Sequence, residues 1–313
     1  MASAAPTGAE ADRVVGAGSN HRMVVGRLGD YVALTKPRIM ALLLVTAYCA
    51  MVVANQGLPA FGITSTTLVG LACSVGGAHA FNMWYDRDID AIMERTRRRP
   101  IPAGRMTANH AIWMGVGLEL LAVGILWRGA NLLTAGLAFS GFVYYVGIYT
   151  LWLKRRTPQN IVVGGGAGAM PPLVGWAAVN GHLAVAPLLM FLMVFLWTPP
   201  HFWALALYRN QDYRRAGVPM MPVVNGERTT KRQMLVYALM LLASTVGLYF
   251  TGTVGGVYLT VASLVGILFV MACVMAFRES LPHTLWAKRT FMASLMYLTA
   301  VFGVMVVNVL LPH

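Results

Sequence analysis

Residues 81–90 read Phe81-Asn82-Met83-Trp84-Tyr85-Asp86-Arg87-Asp88-Ile89-Asp90, and the chain runs on to Arg95-Thr96-Arg97-Arg98-Arg99-Pro100. Three acids in five positions are conspicuous in a chain with only 11 Asp and Glu among 313 residues. They directly follow an apolar stretch, 60–81, of the length that crosses ~30 Å of hydrocarbon. The acids therefore stand at the end of a candidate membrane span, and the rest of the chain agrees with that placement.

The hydrophobic fraction is 58% and the charged fraction 11%, whereas soluble domains carry about a quarter charged residues. Disordered, fibrous, secreted and nucleic-acid-binding classes fall with that composition, and a lipid bilayer is the expected surrounding. Nine apolar stretches read as spans, at 37–54, 60–81, 109–127, 131–153, 159–179, 183–204, 233–251, 254–277 and 290–311. The expected fold class is an all-α integral membrane protein, nine transmembrane helices around a central cavity. Residues 1–30, rich in Ala and Gly and lacking an apolar run, read as a flexible cytoplasmic tail rather than a secretory signal. Residues 31–313 read as one membrane domain. Cys49, Cys73 and Cys273 lie inside apolar stretches without paired spacing and read as small core residues.

Of the 24 Lys and Arg, 23 fall in the N-terminal tail and in the connections after the second, fourth, sixth and eighth spans; Arg128 alone lies opposite. The positive-inside rule then places the N-terminus and the long connections in the cytoplasm and the C-terminus outside. A catalytic face, if present, is expected on the cytoplasmic side.

If the second helix continues past Asn82, then Asn82, Asp86 and Asp90 share one face at steps of four, and Asp88 points elsewhere. Hard oxygen ligands in such a stripe suit Mg²⁺, which keeps several waters and shares its remaining positions with substrate phosphate. A solvated helix end whose acids pair with Arg95 to Arg99 is the alternative. The connection 205–232 carries Tyr208 and Asp212, again four apart, and a helical continuation of the sixth span would set a second carboxylate opposite the first.

These residues resemble the UbiA superfamily of intramembrane prenyltransferases. The stripe Asn82, Asp86, Asp90 looks like its first aspartate-rich motif. Further stretches are similar to a branch acting on haem: Thr35-Lys36-Pro37-Arg38, Thr157-Pro158-Gln159-Asn160 before Gly164-Gly165-Gly166, Trp197-Thr198-Pro199-Pro200-His201-Phe202-Trp203, and Asp212-Tyr213 with Ala216-Gly217-Val218-Pro219-Met220. The likeness covers about residues 30–311. It implies transfer of a farnesyl group from farnesyl diphosphate to a vinyl carbon of haem B, giving haem O, in the bacterial cytoplasmic membrane. It also implies Mg²⁺ as cofactor and a downstream haem A synthase as partner. Asn82, Asp86, Asp90 and Asp212 are carried over as catalytic residues, with Asp86, Asp90 and Asp212 on the metal. The second motif departs from the superfamily pattern, since Asp212 is its only acid and Asn210 and Gln211 are neutral.

Breaking an allylic carbon–oxygen bond leaves a diphosphate and a carbocation-like carbon, so the site must stabilise charge on the leaving oxygens. Lys36, Arg38, Arg95 and Arg99 are the candidates to grip them. His201 and Tyr208 are the candidate haem contacts. For His201 a structural hydrogen bond beside Pro199 and Pro200 weighs equally. His79, one turn before Asn82, is a candidate cavity residue.

Glu119, deep in the third span, is expected to face the bundle interior or to be protonated, with a neutral interhelical hydrogen bond as the plainer reading. The run Gly164 to Gly168 lacks the Lys and Ser or Thr of a nucleotide loop, so close packing and a fifth helix broken at Pro171-Pro172 are expected. A secondary transporter would need two inverted halves that are not visible here, and a CDP-alcohol phosphotransferase would need a longer acidic signature.

The charge asymmetry makes a direct prediction. In a Cys-free background, cysteines at positions 98 and 225 should be labelled only from the cytoplasmic side and one at 313 only from outside; opposite labelling at any of them overturns the topology.

Overall fold

A computed structural model describes residues 27–280 and 283–311. Most of the expected tail, residues 1–26, and His313 lie outside the described residues. The chain order is α1 (Leu28–Leu34), α2 (Pro37–Asn55), α3 (Phe61–Tyr85), α4 (Arg87–Ile92), α5 (Ala108–Gly129) and α6 (Leu132–Val143), the last continuing as a π-helix, Tyr144–Leu153. Then come α7 (Asn160–Asn180), α8 (Val185–Tyr208), α9 (Asn210–Arg215), α10 (Met221–Val224), α11 (Gly226–Tyr249), α12 (Gly256–Arg278) and α13 (Leu285–Leu310). Among the described residues nine helical rods, α2, α3, α5, α6 with its π extension, α7, α8, α11, α12 and α13, are long and apolar enough to cross a membrane. Trp113, Leu120, Trp127, Leu264 and Met296 are all more than half exposed. A surface that apolar belongs against lipid.

The interior is built from small residues that let helices meet. A Cβ on Gly175 of α7 would stand 2.2 Å from the Ala47 carbonyl oxygen of α2, so only glycine permits this crossing. Around α7 and α8 lies the main core, with Met190, Met193, Leu241, Tyr258, Phe302 and Met305 almost fully buried. A second cluster, Ala47, Leu71, Leu126, Ala135, Ala138 and Val174, fills the space between α2, α3, α5, α6 and α7. A third, formed by Ile89, Met93, Tyr213, Val218 and Met220, joins the two long connections to each other.

Helix ends shift by a few residues from the hydropathy reading, the ninth helix for instance starting at Leu285 rather than 290, and three departures bear on the site. The seventh helix starts at Gly226 rather than 233. Its polar first turns stay helical because backbone hydrogen bonding does not stop where hydrocarbon does. Lys231 there donates to Glu227 Oε1 at 2.5 Å and to the Glu279 carbonyl. The Glu279 carboxylate in turn accepts the N–H groups of Trp286 and Ala287 at the start of α13, where a helix N-terminus favours an anion. The sixth-to-seventh connection thereby shrinks to residues 209–225 and contains two short helices.

The second difference concerns α7, which runs unbroken through Pro171 and Pro172. Both prolines are buried, and helices packed on either side hold a rod that lacks two backbone donors, as they do in membrane bundles generally. Third, α3 stops at Tyr85 and α4 is a separate helix. The Asp86 N–H still bonds to the Asn82 carbonyl at 2.9 Å and the Asp90 N–H to the Asp86 carbonyl at 2.8 Å, so the four-residue step survives the break.

Gly175→Ala is expected to lower thermal stability by about 1–3 kcal/mol, the cost of overpacking a filled interior, measured as a drop in unfolding temperature in detergent. An unchanged midpoint would mean that α2 and α7 do not meet as described.

Candidate active site

At one end of the bundle a cavity opens between α2, α3, the α6 rod, α7, α8 and the two long connections. Its rim is charged and its body apolar. Lys36, Asn82, Asp90, Arg95, Arg99 and Lys154 line the rim.

Lys36 precedes α2 in a left-handed backbone conformation, φ +51°, uncommon and costly for a residue with a Cβ. The turn is clamped from α3: His79 Nδ1 lies 2.8 Å from the Thr35 carbonyl oxygen. Since a carbonyl only accepts, Nδ1 carries the proton. The clamp sends the Lys36 ammonium inward, where it donates to Asn82 Oδ1 at 2.7 Å. Burial, with the Arg99 and Lys154 cations adding to it, holds the Lys36 ammonium well below the ordinary lysine range, and Asp86 and Asp90 offset this only in part. Cations crowded together away from bulk water make a place for an anion.

Asn82 passes the contact on. Its Nδ2 donates to Asp86 Oδ2 at 2.6 Å and to Thr150 Oγ1 at 3.3 Å. Asp86 has no solvent exposure and is paired with Lys154, while Arg155 Nη2 stands 3.9 Å from its other oxygen, Oδ1. Asp90 is buried and paired with Arg99 at 2.6 Å. Asp88, its side chain 60% exposed, faces away from the cavity and holds Arg155 through two contacts of 2.7 Å. That guanidinium keeps the Asp88 carboxyl below the usual carboxylate range.

Asp212 comes from the other connection. Its Oδ1 accepts the Glu94 N–H at 3.1 Å, latching the two connections together. Oδ2 of Asp212 and Oδ1 of Asp86 are buried and have no hydrogen-bond partner among the described residues. Neither side chain lines the cavity, and among the described residues no three His, Cys, Asp or Glu side chains gather closely enough to hold a metal ion by themselves.

Of the four cations expected on the phosphate oxygens, Lys36, Arg95 and Arg99 line the cavity, whereas Arg38 is exposed and does not. The site gains Lys154, which sequence reasoning had counted only for topology. The signal available was its place in a basic turn at the end of a span; its pairing with Asp86 across 68 positions was not. The π-helix contributes Tyr145 and Tyr149 to the wall. Tyr149 fits because Gly164 leaves room: a Cβ there would lie 2.2 Å from the Tyr149 ring.

His201 and Tyr208 do not face the cavity. His201 lies buried between α8 and α13, stacked between Trp197 and Phe291 at centroid distances of 4.3 and 4.6 Å. Its Nδ1 donates to Ser294 Oγ at 2.7 Å, because the Ser294 hydroxyl proton is directed to the Phe291 carbonyl. Phe202 is the residue at that level that lines the cavity, and it meets His201 edge-on at 5.1 Å. Tyr208 also packs on Phe291. The helical register after Pro199-Pro200 turns the imidazole toward α13, where Ser294 and Phe291 hold it. Glu119 is buried as expected, with Ser74 of α3 as its polar neighbour. The three cysteines are free.

The chain matches the UbiA prenyltransferase family over residues 43–307. A relative named protoheme IX farnesyltransferase, from Symbiobacterium thermophilum, is 58% identical over 280 residues, covering 90% of this chain and 94% of the relative. Among solved structures, one concerned with digeranylgeranylglyceryl phosphate synthase superposes with a TM-score of 0.76 at 16% identity, over 90% of this chain and 98% of that one. A UbiA homologue from Archaeoglobus fulgidus bound to DMAPP and Mg²⁺ superposes with a TM-score of 0.62 at 14% identity, over 88% and 99%. The chain belongs to the UbiA prenyltransferase family: it is a multi-span, membrane-embedded prenyltransferase with the UbiA-type helix bundle.

The Asp86–Lys154 pair makes a stability prediction. Lys154→Met strands a fully buried carboxylate and should destabilise the protein by about 3–5 kcal/mol. Adding Asp86→Asn should restore most of the loss. A double variant as unstable as the single one would show that the pair is not coupled.

Proposed function

We propose that this chain transfers the farnesyl group of farnesyl diphosphate to a vinyl group of haem B, with addition of water, giving haem O and diphosphate. The observation that carries the reading is the division of one cavity into a cationic rim and a hydrocarbon body, the same division that a prenyl diphosphate has. The haem acceptor is supported by the 58% identical relative named for that reaction. Farnesyl as donor rests on the same relative.

Mg²⁺ fits the residues present. Among the described residues Asp86 Oδ1 and Asp212 Oδ2 are buried acceptors without a hydrogen-bond partner, and the lack of a three-residue cluster there suits an ion that takes its remaining ligands from water and diphosphate. Asp86, Asp90 and Asp212 are the residues that would hold it. Held there, Mg²⁺ would supply positive charge to offset the charge developing on the leaving diphosphate.

The chain's own groups do the rest. Lys36, Lys154, Arg95 and Arg99 hold the phosphate oxygens, and Asn82 fixes Lys36 against Asp86. Below them the apolar wall keeps water from the allylic cation until the terminal vinyl carbon of haem B has bonded to it. The hydroxyl of the attacking water then joins the inner vinyl carbon, and its proton leaves toward diphosphate. His201 backs Phe202 of that wall edge-on at 5.1 Å, and Tyr208 packs on Phe291, the ring stacked on the other side of His201. The N-terminus and the charged rim face the cytoplasm of a bacterial inner membrane, supported by the asymmetry of basic residues. Haem O leaves as the substrate of a haem A synthase.

The test is incubation of purified protein with haem B, farnesyl diphosphate and Mg²⁺, followed by mass analysis of the haem. Appearance of haem O is expected, and its loss with chelator. Asp86→Asn and Asp90→Asn should each lower the rate 10²- to 10³-fold, about 2.7–4 kcal/mol. Asp88→Asn loses only an exposed ion pair, worth about 0–1 kcal/mol, and should stay near wild type. Unmodified haem in the presence of an otherwise prenylated acceptor would overturn the acceptor, and activity indifferent to chelation would overturn the metal.

A further inference from the structure

On three of the helices that line the cavity the lining stripes end in one layer. On α3 the stripe descends from Asn82 through Ala78 and Val75 to Leu71; on the α6 rod it ends at Ala138; on α7 it ends at Val174. These three end residues belong to the packed cluster completed by Ala47, Leu126 and Ala135, and each is at most 4% exposed.

We propose that the plug formed by Leu71, Ala138 and Val174 is a ruler that sets the length of prenyl chain the cavity accepts at three isoprene units. The inference rests on the prenyl diphosphate reading of the charged rim. Asn82 and Leu71 are eleven residues apart on one helix, about 16 Å at a rise of ~1.5 Å per residue. With carbon–carbon bonds of about 1.5 Å, an extended isoprene repeat of four backbone bonds spans roughly 5 Å. A farnesyl chain anchored at the rim therefore ends against the plug. A geranylgeranyl chain, roughly 5 Å longer by the same bond length, would have to displace Leu71 or Val174 from a close-packed cluster, which interiors resist. A geranyl chain leaves the deepest third of the cavity without contacts and forfeits that attraction.

The plug can be moved in both directions. Leu71→Ala deepens the cavity, with Val174→Ala as a second deepening variant should the first fail to fold. Ala138→Leu raises its floor. Affinities for geranyl, farnesyl and geranylgeranyl diphosphate are measured by calorimetry with Mg²⁺ for each protein, and prenyl transfer to haem B is followed separately. A pocket that gains or loses a single methylene shifts preference about 10- to 200-fold, so a whole isoprene unit should move the ratios at least tenfold. Deepening should raise geranylgeranyl relative to farnesyl, and filling should raise geranyl relative to farnesyl. Ratios that stay fixed in all folded variants, while wild type still farnesylates haem B, overturn the ruler. Ratios that shift while no variant prenylates haem B support the ruler and overturn the haem acceptor.

Discussion

A carboxylate with no contact with water has to be compensated by the protein around it, and Asp86 is such a group. Removing one partner of a buried ion pair costs about 3–5 kcal/mol, so the elements that supply Lys154 and Asn82 are held in place by Asp86 as much as they hold it. Through Lys36–Asn82–Asp86–Lys154 the network ties the start of α2, the end of α3 and the turn after the fourth span into one unit. The left-handed backbone at Lys36 is tolerated because the network and the His79 clamp determine it from two sides. Strain at that residue serves to bring an ammonium inward.

The cations around this unit exceed what the acids neutralise at close range: Lys36 bonds to a neutral amide, and Arg95 at the rim is exposed. The excess is directed at whatever anion enters. Above it, the Asp212–Glu94 bond and the cluster of Ile89, Met93, Tyr213, Val218 and Met220 pin the two connections together as a cap. A charged head can then be gripped at the rim, where the cations are, while the wall beneath is mostly apolar and carries no charged side chain among its described residues.

The number and order of the spans were legible because hydrocarbon demands long apolar runs and the chain marks their ends with basic residues. The four-residue step of Asn82, Asp86 and Asp90 was legible as a pattern; after the change of helix at Asp86, Asn82 and Asp90 line the cavity while the Asp86 side chain lies beside it, bonded to Asn82 and Lys154. What the chain does not display in one dimension is which residues meet. Lys154 and Asp86 are 68 positions apart, and Asp212 and Glu94 are 118 apart. The direction of His201 depends on its helical register and on a serine 93 positions away. The polar start of α11 and the proline pair in α7 misled for a related reason: hydropathy and proline both report the cost of a helix in isolation, and packing offsets that cost.

The π-helix explains why Lys154 in particular escaped a reading based on helical faces. Tyr145 and Lys154 both line the cavity, yet nine residues of α-helix make about 2.5 turns at 3.6 residues per turn, which would set them on opposite sides of the rod. A π-helix bonds five residues back and takes roughly 4.4 residues per turn. Nine residues then complete close to two turns, and the two side chains return to one face. The Lys154 N–H bonds five residues back, to the Tyr149 carbonyl at 2.9 Å, so the wider winding extends to the lysine itself. Rewinding this stretch as α-helix would turn the ammonium away from Asp86 while leaving composition and hydropathy untouched. The unusual winding is what delivers a cation from the end of the fourth span to the buried carboxylate on which the rim is organised.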